Sequence, residues 1–327
     1  KRILMGKLAC LFPGQGSQSV GMGRAFFDQF AEARARFEEI DRIAGRSLSE
    51  ICFAGPEDQL KRTINTQPTI LAASLVAWQC YEAQGGPKPD FVAGHSLGEL
   101  TALVAANVLT LADAVPLVEK RARLMEECPK GAMSAVIGVS PDDLEKCVHD
   151  TEAELKLGGQ TDHEACVVVA NFNTREQLVI SGNPNAVSKA GEKAKAKGGK
   201  VIPLPVGGAF HSPLMVAAAQ EFLAELQSAK FNDAIYNVVQ NYDAQPTKKA
   251  DEIKAKLGRQ IPNAVRWCES VETMLAQGVD TFVEIGPGKV LTGTVKKIDK
   301  TAKFFNVYDA ETLKAAIVSL KETLAVT

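Results

Sequence analysis

Apolar residues recur along the chain at two spacings. Short, nearly continuous runs bounded by glycine, proline or polar clusters read as buried strands. They fall at 7–12, 91–93, 132–139, 167–171, 177–180, 200–206, 237–240 and 281–285. Between them lie longer stretches with helical spacing or apolar character, which predict helices over 25–43, 69–82, 98–107, 110–127, 141–151, 184–197 and around 269–276. Local chemistry marks several ends. Thr110 with Asp113 has the form of a capping box, and Ser140 and Asn183 stand at N-cap positions before Pro141 and Pro184. Pro116 falls late for a first turn, so a kink or a later helix start is expected there. The polar segment 154–164, with Gly158-Gly159, reads as a loop, and Asn173-Thr174 as the turn between two strands.

Strands alternating with helices predict an α/β fold. The rhythm changes in the middle. From about 131 to 203 the order is strand, helix, strand, strand, helix, strand, which matches the ferredoxin-like motif. A chain of 327 residues exceeds one ordinary domain. The expected organisation is a larger domain from 1–130 and 204–327, split by a small ferredoxin-like domain at 131–203.

Composition narrows the class without naming any chemistry. Apolar residues make up 46% of the chain, enough for a full core and against long-range disorder. The 37 basic and 39 acidic residues leave a net charge of −2, which argues against a whole-chain nucleic-acid binder. The longest apolar stretch, 101–118, is interrupted by Asn107, Asp113 and Pro116, so it reads as buried helix and no membrane span is expected. The basic start is followed too soon by Lys7 to read as a secretory signal, and Met5 is the expected natural start. The seven cysteines are odd in number, widely spaced and without C-x-x-C. That pattern predicts core thiols in a reducing, cytoplasmic setting and no zinc site. The four histidines show no metal-ligand spacing, so no metal is expected.

Chemistry enters at Gly94-His95-Ser96-Leu97-Gly98, which fits G-x-S-x-G. The pattern alone is weak, with about 0.1 chance matches in a chain this long. Its context strengthens it, because a strand precedes it and a helix follows, as a nucleophile elbow requires. Such a turn holds Ser96 at a helix N-terminus, where developing negative charge is favoured. A serine needs a base. His149 and His163 fall in polar parts of the small domain, whereas His211 sits in a glycine-rich turn after a strand. His211 is the candidate base. His95 adjoins the serine with its side chain expected to point away. An oxyanion hole needs two backbone donors. Leu97, after the nucleophile, is one, and Gln15 in the loop Pro13-Gly14-Gln15-Gly16-Ser17-Gln18 is the other. That loop lacks the lysine of a P-loop and the spacing of a dinucleotide fingerprint.

These segments converge on a family. Leu11 to Gln18, Gly94 to Glu99, Gly208-Ala209-Phe210-His211-Ser212 and Glu284-Ile285-Gly286-Pro287-Gly288 stand in the order seen in malonyl-CoA:acyl carrier protein transacylases. Thr66-Gln67-Pro68 and Gln260-Ile261-Pro262-Asn263 also resemble family segments. The resemblance implies an α/β-hydrolase-like large domain with an inserted ferredoxin-like small domain. It implies Ser96 as nucleophile, His211 as base and the main-chain carbonyl of Gln260 as the group that orients the histidine. It further implies Gln15 and Leu97 as oxyanion donors and Arg121 as partner of the malonyl carboxylate, with Gln67, His95 and Phe210 beside the substrate. Arg123 competes with Arg121 but lies on another helix face. Malonyl-CoA is then a substrate, acyl carrier protein the acceptor, and no further cofactor is implied; a monomer is expected. Leu100 departs from the family pattern, where an aromatic is common, and Pro116 interrupts the helix leading to Arg121.

Three further expectations stand beside this. Lysines at 189, 193, 195, 197 and 200, and again at 296, 297, 300 and 303, offer docking surfaces for an acidic carrier protein. A serine thioesterase or esterase would place an acid between Ser96 and His211, where Asp142, Asp143 and Asp150 fall. A non-catalytic scaffold would form no acyl-enzyme.

Overall fold

A computed structural model describes residues 6–325; Met5 and the residues before it, and 326–327, lie outside the described residues. Among the described residues the strands are β1 (Lys7–Phe12), β2 (Phe91–Gly94), β3 (Ala132–Ile137), β4 (Val167–Thr174), β5 (Gln177–Gly182), β6 (Lys200–Pro203), β7 (Asn237–Val239), β8 (Pro246–Thr247), β9 (Val279–Ile285) and β10 (Lys303–Val307). They form two sheets. The first has the order β10-β9-β1-β2-β7-β8, parallel throughout except for the β7–β8 pair. The second has the order β4-β5-β3-β6 and is antiparallel. The chain leaves the first sheet after β2 and rejoins it at β7, and the whole second sheet lies within that excursion.

The near-continuous apolar runs are explained by burial on both faces of the first sheet. Along β1, Leu8, Cys10 and Phe12 pack into one core cluster with the helix Thr63–Ala83, while Ala9 and Leu11 pack with Trp267, Val271 and Met274 in another. Val92 and Val283 join the first cluster, and Phe91, Ala93 and Phe282 the second. The second sheet has its own core, in which Val136, Leu178 and Ile180 meet Leu144, Cys147, Ala186 and Ala190 of its two long helices. Val265, packed in the cluster with Ala9 and Leu11, bonds the second sheet: its N–H donates to Ala170 O at 2.8 Å, and its carbonyl accepts from Phe172 N at 2.9 Å.

Several elements differ from their predicted form. The segment 25–43 is two helices, Arg24–Gln29 and Ala31–Ala44, separated by an extended Phe30. The Arg34 guanidinium donates to the freed carbonyls of Phe27 and Asp28 at 2.8 and 3.3 Å. The helix expected after Pro68 begins at Thr63 and runs through the proline. Pro68 cannot donate to the carbonyl of Ile64, and Arg46 Nη2 donates to that carbonyl instead, at 2.8 Å. The helix Leu111–Glu126 is likewise unbroken at Pro116, and Thr110 caps it by accepting from Asp113 N at 3.2 Å. The expected loop at 154–164 is mostly helical: one helix extends to Leu157, and a capping box between Thr161 and Glu164 starts the short helix Asp162–Ala165. The β4–β5 turn is Arg175-Glu176, two residues later than expected, because β4 continues to Thr174.

All seven cysteines are free thiols, and six are buried. Burial pushes the thiols of Cys10 and Cys52 well above their ordinary range. Among the described residues no helix is long and apolar enough to cross a membrane.

Candidate active site

The loops that follow β1, β2 and β7 leave the same end of neighbouring parallel strands, where open α/β sheets carry their ligands. After β2 the chain turns sharply into the helix Gly98–Ala105. Ser96 sits at the tip with φ 51°, a strained value for a residue with a side chain. The turn is tight enough that a Cβ on Gly94 would run into Gly98. A Cβ on Gly98 would meet the Phe12 carbonyl.

Distant residues hold the turn. Asn241, two residues beyond β7, reaches across it. Its Oδ1 accepts from Ser96 N at 2.7 Å and its Nδ2 donates to Gly94 O at 2.7 Å. Gln260 Nε2 donates to the Ser96 carbonyl at 3.0 Å. Asn241 is itself held by its N–H, which donates to the buried Glu99 carboxylate at 2.8 Å.

His211 also has a left-handed backbone, φ 57°. Its Nε2 lies 2.8 Å from Ser96 Oγ. Its Nδ1 faces two main-chain carbonyls, Gln260 O at 3.2 Å and Asn263 O at 3.1 Å. Carbonyls only accept, so Nδ1 carries the hydrogen and Nε2 is left free to accept from the serine. Burial, reinforced by the positive charge of Arg121, lowers the His211 pKa to about 3. The ring is therefore neutral near pH 7, the state a general base requires. Asp142 and Asp143 are exposed on the helix Pro141–Leu157 and Asp150 lies on the same helix, so none of them takes the orienting position.

Arg121 is fully buried on the helix Leu111–Glu126, while Arg123 faces solvent. Arg121 Nη1 donates to Gln67 Oε1 at 2.6 Å. Its Nη2 donates to Gln260 Oε1 at 2.9 Å and to Ser96 Oγ at 3.0 Å. Its Nε is buried without a partner among the described residues. Burial lowers its pKa to about 10, which leaves it charged near neutral pH.

A cavity of about 160 Å³ opens onto Ser96 and His211. Gln15, His95, Ser96, Phe210 and His211 line it. His95 bonds Asn173 Oδ1 through Nε2 at 2.7 Å, packs on Trp267 and borders the cavity. Burial lowers its pKa. The N–H groups of Gln15 and Leu97 have no protein acceptor among the described residues. A larger cavity, about 680 Å³, lies apart from Ser96, and its arginines are already paired, Arg175 with Glu272 and Arg266 with Glu269.

The structure thus joins Ser96, His211, Arg121, Gln67 and Gln260 in one hydrogen-bonded group and sets Gln15, Leu97, His95 and Phe210 around it. Sequence reasoning missed Asn241 and the cavity-lining Asn171, and it gave no role to Glu99 or Asn263 within the segments it singled out. The signal for Asn241 was its place just after a buried strand, which gains meaning only once β7 is known to neighbour β2. Chemically, the group can move a proton from a serine to a neutral imidazole beside a fixed cation and two free backbone donors.

Residues 10–318 match the acyl transferase domain family. The chain is 41% identical over 322 residues to the malonyl CoA-acyl carrier protein transacylase of Bacillus subtilis strain 168, covering 97% of this chain and 98% of that protein. Among solved structures it is similar to an acyl carrier protein S-malonyltransferase from Vibrio cholerae, with TM-score 0.89, 40% identity and coverage of 94% of this chain and 99% of that one. It is also similar to a malonyl-transacylase solved in complex with its type II PKS acyl-carrier protein, with TM-score 0.90, 38% identity and coverage of 96% and 99%. The α/β architecture, the near-complete coverage and the level of identity place this chain in the acyl transferase family, among its malonyl CoA-acyl carrier protein transacylases.

Proposed function

We propose that this protein transfers the malonyl group of malonyl-CoA to the phosphopantetheine thiol of acyl carrier protein, in two steps through a malonyl-Ser96 ester. The observation that carries this reading is a fully buried, charged Arg121 bonded only to uncharged groups, 3.0 Å from the serine oxygen. Such a cation suits an acyl group that ends in a carboxylate.

In the first step Ser96 Oγ attacks the thioester carbonyl carbon and its proton passes to His211 Nε2. The N–H groups of Gln15 and Leu97 stabilise the oxyanion. The carbon–sulfur bond then breaks, His211 returns the proton to sulfur, and CoA leaves as the free thiol. In the second step the carrier thiol gives its proton to His211 and attacks the ester. The carbon–oxygen bond breaks and Ser96 recovers its proton. The carbonyls of Gln260 and Asn263 keep the histidine in the required tautomer throughout. Arg121 holds the malonyl carboxylate, with Gln67, His95 and Phe210 around the acyl group. These steps call for no metal or further cofactor.

Residues 1–130 and 204–327 form, on this reading, an α/β-hydrolase-like catalytic domain, and 131–203 a ferredoxin-like small domain. The sheet order β4-β5-β3-β6, with a helix after β3 and another after β5, supports the second assignment. The enzyme acts as a monomer in the cytoplasm, a setting that suits its free thiols. The acidic carrier docks on exposed lysines. In the first cluster Lys193 and Lys197 are already paired, with Glu154 and Asp143, which leaves Lys189, Lys195 and Lys200 for it. Charge reversal there should slow transfer and weaken its salt dependence, and unchanged values would count against this surface.

The reading is tested by intact mass after mixing with malonyl-CoA. An added malonyl group of ~86 Da on the wild type, discharged by holo-carrier protein, is the expected result. No adduct, or an adduct released only to water, would contradict it.

A further inference from the structure

The uncharged surroundings of Arg121 have a second meaning. A fully buried arginine is ordinarily paired with a carboxylate. Here the acceptors are two side-chain amides and one hydroxyl: Gln67 Oε1, Gln260 Oε1 and Ser96 Oγ. A carboxylate does stand within electrostatic reach, since Glu99 opposes the lowering of the Arg121 pKa. It does not bond the guanidinium: it accepts from Gln240 Nε2 at 3.0 Å and from Asn241 N at 2.8 Å, and Gln260 stands between the two charges.

Each glutamine is fixed with its oxygen toward the guanidinium. Arginine offers only donors, so an amide oxygen must face it. The opposite ends are tied as well. Gln67 Nε2 donates to Met125 Sδ at 3.2 Å, and Gln260 Nε2 donates to the Ser96 carbonyl at 3.0 Å. Both amides are buried. They therefore aim the two terminal nitrogens without cancelling any charge.

We infer that Gln67 and Gln260 are specificity-determining positioning residues, which orient Arg121 through neutral acceptors and so leave its guanidinium without a bonded carboxylate, free to take that of an acyl group. This rests on the reading that the acyl group is malonyl. A glutamate at either position has nearly the same shape but brings its own carboxylate, which the neighbouring guanidinium would keep ionised. The incoming malonyl carboxylate would then meet a neutral pair and a like charge. An acetyl group has no carboxylate and would lose little.

The test is the acylation rate constant for malonyl-CoA and for acetyl-CoA, followed by intact mass, in wild type, Gln67→Glu and Gln260→Glu. In Gln67→Glu the malonyl-to-acetyl preference should fall about 100-fold, the scale of effect when a buried charge loses its partner. Gln260→Glu also loses the bond to the Ser96 carbonyl, so it should slow both acyl groups and still lower the preference. A purely structural role would slow both equally, and that result, or an unchanged preference in a folded variant, overturns the inference. Thermal melts identify a variant that does not fold, and the other glutamate variant then decides. If the wild type itself shows no preference for malonyl, the proposed function fails. If it shows one and the glutamate variants keep it, the inference about the glutamines fails alone.

Discussion

Two arginines lie along the contact between the helices Thr63–Ala83 and Leu111–Glu126, and they are used in opposite ways. Arg46 is partly exposed and pairs with Glu119 through both Nε and Nη2, at 3.0 and 3.1 Å. It also donates to Asn65 Oδ1 and to the Ile64 carbonyl that Pro68 leaves free. Its charge is matched and its donors are occupied, so it is a structural tie. Arg121, two residues after Glu119 on another face of the same helix, is fully buried and touches no carboxylate among the described residues. Burial of an unmatched charge is costly. On the proposed reading, the substrate carboxylate completes the arrangement, and the contrast separates an arginine that holds the scaffold from one that waits for a substrate.

Each way of disturbing this contrast has its own expected size. Ser96→Ala removes the proposed nucleophile and one neutral acceptor of Arg121, and acylation should fall to background with little loss of thermal stability; a surviving adduct at full rate would place the chemistry elsewhere. Asn241→Ala should come next. It frees the strained Ser96 backbone, and a misplacement of that kind costs roughly 100-fold in rate. The loss should appear in kcat for malonyl and acetyl groups alike, unlike a change at Arg121, and an unchanged kcat would show that the turn holds itself.

The pH response is a smaller effect with a definite sign. His211 is neutral in the folded protein down to about pH 3, so acylation should show no fall near the ordinary histidine value of ~6.5. Arg121→Met removes the second cause of that depression, so the acid limb should move upward. A limb at ~6.5 in the wild type would contradict the buried, charge-flanked histidine. The same depression means the unfolded chain takes up a proton on this residue first. Its contribution to stability is present above ~6.5 and is lost as pH falls toward about 3.

The smallest change belongs to the scaffold arginine. Arg46→Met should cost about 1 kcal/mol, as a partly exposed pair with a lost carbonyl contact would. It should leave the malonyl-to-acetyl preference untouched, whereas a shift in that preference would blur the distinction between the two arginines. Stability is read by denaturant titration and the preference by acylation rates.

Much of this was legible in the chain, and the rest was hidden for physical reasons. Local chemistry announced the turn at Ser96, because glycines on both sides of a serine between strand and helix leave few other geometries. The caps at Thr110, Ser140 and Asn183 were legible for the same reason. Long-range compensation was not. Pro68 looked like a helix start because Arg46, twenty-two residues earlier, supplies the missing donor to Ile64. Phe30 looked helical because nothing local shows that Arg34 will take up the carbonyls of Phe27 and Asp28. Asn241 carries no motif, and its role depends on β7 lying beside β2. The resemblance to the transacylase family pointed to Arg121, but the neutrality of its partners could be seen only in three dimensions.

The most direct measurement compares acylation of wild type and Arg121→Ala by malonyl-CoA and acetyl-CoA under identical conditions. If the charge of Arg121 is reserved for the substrate carboxylate, the wild type prefers malonyl strongly, and the variant loses that preference by about 100-fold or more with a relative gain for acetyl. Equal slowing of both acyl groups, with the preference intact, would contradict it.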